Sequence, residues 1–218
     1  RPPRSTRKES SAASDVYKRQ IYVDNTTASA TIAREIYEFA KKNGFGSLDA
    51  PVSGGQAGAE NGALTVMIGG DQTDFDKVKD KIDCYSKKMK LLGGAGNGQL
   101  AKMVNQICIA GLVKGLSEAI NFGMKAGLNM EDVIEVISKG AAQSWQMENR
   151  YKTMIDDKFE FGFAVDWMRK DLKIALDEAK KNNSLLPITE IVDKYYEDVQ
   201  KLGGNRWDTS SLIKRLRK

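Results

Sequence analysis

The hydrophobic rhythm of the chain changes near its middle. Short apolar runs come first: Ile21-Tyr22-Val23, Leu48 to Val52, Leu64 to Ile68 and Lys90-Leu91-Leu92. Their length, bounded by Gly, Pro, Asn and Asp, predicts strands. Amphipathic stretches lie between them. Ser29 is placed to cap a helix that turns Ile32, Ile36, Phe39 and Ala40 to one face, with Gly44 ending it. Asp71 with Asp74 opens another, with Phe75, Val78 and Ile82 inward. Strands alternating with helices predict an α/β layer over residues 21–93.

Beyond that point strand signals stop. A helical period runs from Gly98 to Ala126 and ends at Gly127. Asn129 with Asp132 predicts a capped helix over Val133, Ile134 and Ile137, stopped by Gly140. Helices follow over residues 141–157 and 167–181, and Pro187 suits the first turn of a last one, closed by Gly203-Gly204. The fold class is therefore α/β, then all-α. Residues 1–20 stand apart. They are Ser/Arg-rich, lack the apolar core of a signal peptide, and are expected to be non-native or disordered.

Charge adds little once its location is considered. The formal +5 comes from +4 in residues 1–20 and +4 in the last five residues, leaving the body at −3. Two basic ends do not make a nucleic-acid-binding face. Cys84 and Cys108 have no metal-ligand spacing and histidine is absent, so no metal site is expected. The default for such cysteines is buried free thiols in a reducing, cytoplasmic compartment. Gly111 and Gly115 have the spacing of a membrane-helix pair, but Lys114, Glu118 and Lys125 interrupt the run. Close packing in a soluble helix is the expectation, with no membrane span.

Without histidine, acid–base work near neutral pH falls to Lys, Asp, Glu, Tyr or Cys. The segment Gly94-Ala95-Gly96-Asn97-Gly98-Gln99-Leu100-Ala101-Lys102-Met103-Val104-Asn105 runs a glycine-rich turn into a helix. Lys102 and Asn105 stand three residues apart on one helix face, a mobile proton donor beside an amide. Partial burial would lower the pKa of such a lysine. Upstream, Ser53-Gly54-Gly55 follows Asp49-Ala50-Pro51-Val52 and offers a hydroxyl and unhindered N–H groups to an anion such as a carboxylate. Downstream, Lys170-Asp171-Leu172 lies near a helix start, after Phe163.

These three segments, in this order, resemble the β-hydroxyacid dehydrogenases, which include 3-hydroxyisobutyrate dehydrogenase and tartronate semialdehyde reductase. Asp24-Asn25-Thr26-Thr27 and the Gly203…Asp208-Thr209-Ser210 ending look similar too, so the resemblance runs from about Tyr22 to about Ile213. It implies part of a Rossmann-type NAD(P)-binding domain over residues 21–93, then a connecting helix and an all-helical domain over residues 94–218. It implies NAD or NADP as cofactor, a small 3-hydroxy acid or its semialdehyde as substrate, and a homodimer or homotetramer. By the same resemblance Ser53, Gly54 and Gly55 hold the substrate carboxylate, Lys102 is the general acid/base, and Asn105 orients substrate. Thr27 and Lys170 contact cofactor, and Asp171 supports that end of the site. The related 6-phosphogluconate dehydrogenases carry His where Asn105 stands here, and imine reductases typically replace the lysine.

No Gly-x-Gly-x-x-Gly fingerprint precedes Asp24. The expectation is an N-terminally truncated dehydrogenase chain with little activity of its own. The alternative is a non-catalytic scaffold that dimerises through its helical part.

Overall fold

The computed structural model describes residues 20–217, so the expectation for residues 1–19 lies outside the described residues. The chain divides into two compact units, the first ending at Lys102 and the second starting at Met103.

In the first unit, β1 (Ile21–Asp24) pairs parallel with β2 (Gly46–Asp49), joined by helix α1 (Ala30–Lys42). A short β3 (Val52–Ser53) and helix α2 (Gly55–Glu60) lead to β4 (Leu64–Gly70). Helix α3 (Gln72–Asp83) connects β4 to the parallel β5 (Ser86–Leu91). β4 is antiparallel to both β2 and β3. Leu48, Ala50, Leu64, Val66, Ile68 and Ile82 form the core, with Phe75 and Val78 packed on it as the pattern predicts.

The sequence reading needs correction at several points. The strand expected over Leu48–Val52 is broken in two, because Pro51 has no N–H for a ladder. Ala50 donates instead to the Asp24 carbonyl, and the Pro51 carbonyl accepts from Met67. Ser29 caps α1 as expected, its Oγ accepting from Ile32. The buried face of α1, however, is Ala30, Ala33 and Ala40, while Ile32 and Phe39 are exposed. Small side chains let this helix lie close to the sheet. Asp71 makes no side-chain cap on α3; its carboxylate accepts from the Tyr37 hydroxyl. The last strand spans Ser86–Leu91 rather than Lys90–Leu92.

The second unit is helical. Helix α4 (Asn97–Lys125) enters it and is followed by α5 (Met130–Ile137), α6 (Trp145–Ile155), α7 (Val165–Asn182), α8 (Pro187–Lys201) and a 3-10 helix (Thr209–Leu216). Asn129 caps α5 by accepting from Glu131, and Pro187 opens α8. α6 starts at Trp145, not Ala141, because the Ser144 hydroxyl caps it there. One core gathers Ala110, Val113, Met168, Leu172, Val192 and Tyr196; a second gathers Leu116, Ile120, Met130, Ile134, Met154 and Phe159.

Both cysteines are exposed, against the expectation of buried thiols. The reading that no run reaches membrane-spanning length also needs correction. α4 is long and apolar enough to cross a membrane by length and composition, although only a third of its most apolar window is buried. One such helix is by itself weak evidence for a membrane span.

Candidate active site

Helix α4 carries two opposite stripes. At 100° per residue, Gln99, Lys102 and Gln106 share one side. All three are buried, at 0, 6 and 2% exposure. Three buried polar side chains on an apolar helix are costly unless each is satisfied. Gln99 and Gln106 meet that condition through the partners described below.

The first turn of α4 is fastened by a residue from the sheet. Asp49 ends β2 and is itself buried. Its Oδ1 accepts from the Gly96 N–H at 2.7 Å and its Oδ2 from the Gln99 N–H at 2.9 Å. These are orphan donors of a helix N-terminus, and a carboxylate there also complements the helix dipole. The fit is close. A Cβ on Gly98 would meet the Asp49 and Met67 carbonyl oxygens, and one on Gly69 would meet Asp49 Oδ1. Lys102 follows one turn later, on a helix start that has little freedom to move.

Gln99 also reaches into the loop after β1. Its Oε1 accepts from the Ala28 N–H at 2.9 Å, and its Nε2 donates to the Thr26 carbonyl at 2.7 Å. Thr27 lies between those two contacts, at the carboxyl end of β1, half-buried. Ligands of open α/β sheets bind outside the carboxyl ends of the strands.

Ser53 ends β3, and Gly54 and Gly55 lead into α2. Gly54 has φ +133° and Gly55 φ +62°, so both hold backbone that side chains disfavour. A Cβ on Gly55 would meet nothing within 4 Å. Gly54 and Gly55 are both exposed.

In the second unit a polar chain joins three of the expected residues. Asn105 Nδ2 donates to Gln106 Oε1 at 2.8 Å, and Gln106 Nε2 donates to Asp171 Oδ2 at 2.7 Å. Lys170 Nζ lies 3.1 Å from Asp171 Oδ1. Asp171 is buried on α7 while Lys170 is exposed beside it. The structure thus connects Asn105 to the Lys170–Asp171 pair through Gln106. Sequence reading missed Gln106, Gln99 and Asp49. The available signal was the pair of glutamines seven residues apart, flanking Lys102 on one face of an apolar helix. A cavity of about 280 Å³ lined by Ile21, Tyr37, Gly46, Asp71 and Asp74 lies at the amino-terminal ends of β1 and β2 and includes none of the candidate residues.

Comparison with known proteins gives this arrangement a family. The family described as NAD-binding of NADP-dependent 3-hydroxyisobutyrate dehydrogenase matches residues 96–216. The chain belongs to the β-hydroxyacid dehydrogenase family. The NAD binding domain of 6-phosphogluconate dehydrogenase matches residues 4–94, a match that begins inside the segment read as foreign and stops before Lys102 and Asn105. Both matches are to NAD-binding domains, so the cofactor is NAD or NADP.

An uncharacterized oxidoreductase of Shewanella frigidimarina (strain NCIMB 400) is 65% identical, covering 91% of this chain and 68% of the relative. The 2-hydroxy-3-oxopropionate reductase of Escherichia coli (strain K12) is 35% identical over 91% of this chain and 68% of its own length. The 2-(hydroxymethyl)glutarate dehydrogenase of Eubacterium barkeri is 34% identical over 89% of this chain and 65% of its own length. The chain thus spans 65–68% of the length of these relatives. A solved structure of Mycobacterium tuberculosis 3-hydroxyisobutyrate dehydrogenase with L-serine superposes with TM-score 0.82 at 29% identity, covering 91% of this chain and 70% of that one.

Proposed function

We propose that the protein interconverts a small 3-hydroxy acid and its semialdehyde with NAD or NADP, and that Lys102 moves the hydroxyl proton. The observation that carries this reading is the burial of Lys102 one turn into a helix whose start is pinned by Asp49. NAD(P), when bound, supplies the hydride acceptor or donor. Oxidation removes a hydride from the carbinol carbon and a proton from its oxygen. Neutral Lys102 takes that proton at Nζ as the C=O bond forms, and in the reverse direction its ammonium returns it. The N–H groups of Gly54 and Gly55, with the Ser53 hydroxyl, bind the substrate carboxylate. Asn105, held by Gln106, orients substrate. Thr27 and Lys170 hold cofactor, and Asp171 fixes Lys170.

Self-association belongs to the same proposal. Opposite its buried polar stripe, α4 exposes Val104, Cys108, Leu112, Gly115 and Phe122 along one side. Cβ positions on Gly111 and Gly115 face open space, so a second backbone has room to approach. We infer a homodimer, or a homotetramer built from it, in the cytoplasm.

The test is turnover. Purified protein is assayed with NAD⁺ and NADP⁺ against 3-hydroxyisobutyrate, glycerate and L-serine, and with NADH and NADPH against the semialdehydes. The same assay is run with the amino-terminal segment of the Shewanella relative fused ahead of residue 21. Little turnover is expected of the 218 residues alone, because they contain no Gly-x-Gly-x-x-Gly to seat a pyrophosphate. Measurable turnover is expected of the fusion. A fusion that binds cofactor yet oxidises none of these acids would remove the enzyme reading.

A further inference from the structure

We infer that Gln99 is a positioning residue: it clamps the backbone on both sides of Thr27 to the helical turn that carries Lys102. The inference rests on the functional reading above and adds a residue to it. The Gln99 side chain is wholly buried. Its two amide atoms meet a carbonyl and an N–H that belong to residues 26 and 28, at 2.7 and 2.9 Å. This is the pairing that a neighbouring strand would offer, supplied here by one side chain. A primary amide suits the task because it presents a donor and an acceptor together. A glutamate keeps the acceptor and loses the donor. A leucine of similar bulk loses both.

The clamp is anchored at its other end. The Gln99 backbone N–H is held by Asp49 Oδ2, and the same carboxylate holds Gly96. The loop has further ties: Asn25 Nδ2 donates to the Ala50 carbonyl at 2.7 Å, and the Thr26 N–H to Asp24 Oδ1 at 2.9 Å. β1, β2, the loop and the start of α4 therefore form one braced piece. Gln99 and Lys102 are i, i+3 on a single helix, so the residue proposed to touch cofactor and the residue proposed to move the proton share one frame. Hydride and proton leave adjacent atoms of the substrate. Misplacement by about 1 Å costs roughly 10²-fold in rate, which is what a rigid frame prevents.

The test uses Gln99→Leu and Gln99→Glu in the fusion described above, with three readouts: amide exchange at Ala28 and Gly96, Kd for NADH and NADPH from fluorescence, and turnover. In Q99L the Ala28 amide should exchange about 10-fold faster or more, as expected for loss of a local hydrogen bond. Gly96, held by Asp49, should keep its rate. Kd for the dinucleotide should rise by about 10-fold at temperatures well below Tm, and kcat should fall as well. Q99E should protect Ala28 but still weaken dinucleotide binding, since its second oxygen faces the Thr26 carbonyl. A merely structural role would lower Tm and leave Kd of the folded protein alone. If either variant folds and keeps the wild-type Kd, the proposal is overturned; so it is if Ala28 exchange in Q99L is unchanged. A wild-type fusion that binds dinucleotide but turns over no 3-hydroxy acid would overturn the functional reading and leave the clamp standing. A wild-type fusion that binds neither dinucleotide would overturn both.

Discussion

Asp49 and Gln99 are 50 residues apart in sequence and meet at 2.9 Å, where a carboxylate oxygen accepts the N–H of a helix first turn. With Gly96 on its other oxygen, Asp49 does from a distant strand what a capping box does locally. Asp49→Asn keeps one acceptor and turns an NH₂ toward a buried N–H. The expected loss is about 1–3 kcal/mol, the cost of a buried unsatisfied donor. Urea unfolding should show a lower midpoint with an unchanged slope.

Lys102→Ala should reduce kcat by about 10²–10⁴-fold, the range for a general acid/base, with little change in dinucleotide affinity. Lys102→Arg should not rescue turnover, because a guanidinium stays protonated at working pH. Steady-state kinetics on the fusion described above would check both. Near-normal kcat in either variant would take the lysine out of the mechanism.

Arg150 pairs with Asp208, Nε to Oδ1 at 3.2 Å, and is flanked by the rings of Trp145 and Phe161. Asp208 is almost wholly buried and also accepts from the N–H groups of Phe163 and Ser210. It thus ties the loop ahead of α7 to the start of the 3-10 helix. Arg150→Met keeps the bulk and strands a buried carboxylate, with an expected loss of about 3 kcal/mol. Adding Asp208→Asn should recover part of that loss, giving a coupling of about 1–3 kcal/mol in a double-mutant cycle. Strict additivity would mean the pair contributes nothing.

Tyr196 is fully buried on α8 and its hydroxyl donates to the Thr209 carbonyl at 3.2 Å. Burial, reinforced by the negative charge of Asp208, pushes its pKa well above the usual 10. The folded state therefore keeps the phenol neutral while the unfolded chain ionises it. The raised pKa means stability is intact below pH 10 and is lost as pH rises above it, by about 1.4 kcal/mol per pH unit for this one group. Tyr196→Phe should cost about 1 kcal/mol at pH 8 through the lost hydrogen bond. The gap to wild type should close above pH 10, and denaturant melts at pH 8, 10 and 11 would show it. A gap that stays constant across those melts would mean Tyr196 ionises alike in both states.

The exposed side of α4 predicts self-association. Leu112→Glu should shift light scattering at micromolar concentration from a dimer toward a monomer while leaving far-UV circular dichroism unchanged. Cys108 lies on the same side and should cross-link under mild oxidation. A wild-type monomer in that measurement would remove the proposal.

Much of this molecule is legible along the chain. The strand-and-helix alternation, the long helix, the caps at Ser29 and Asn129 and the turn of Pro187 are set by local sterics and short-range hydrogen bonds, which a sequence displays directly. So was the placement of Lys102 and Asn105 on one face of a helix. Tertiary structure decided the rest. Ala30, Ala33 and Ala40 took the buried face of α1 because close approach to a sheet favours small side chains over Ile32 and Phe39. Pro51 split a strand because register, not hydrophobicity, determines which N–H is needed. Gln99, Gln106 and Asp49 read as ordinary polar residues in the chain. Their partners lie 73, 65 and 50 residues away. A buried amide or carboxylate is costly without such partners, and these come within reach only when the strands and helices have packed.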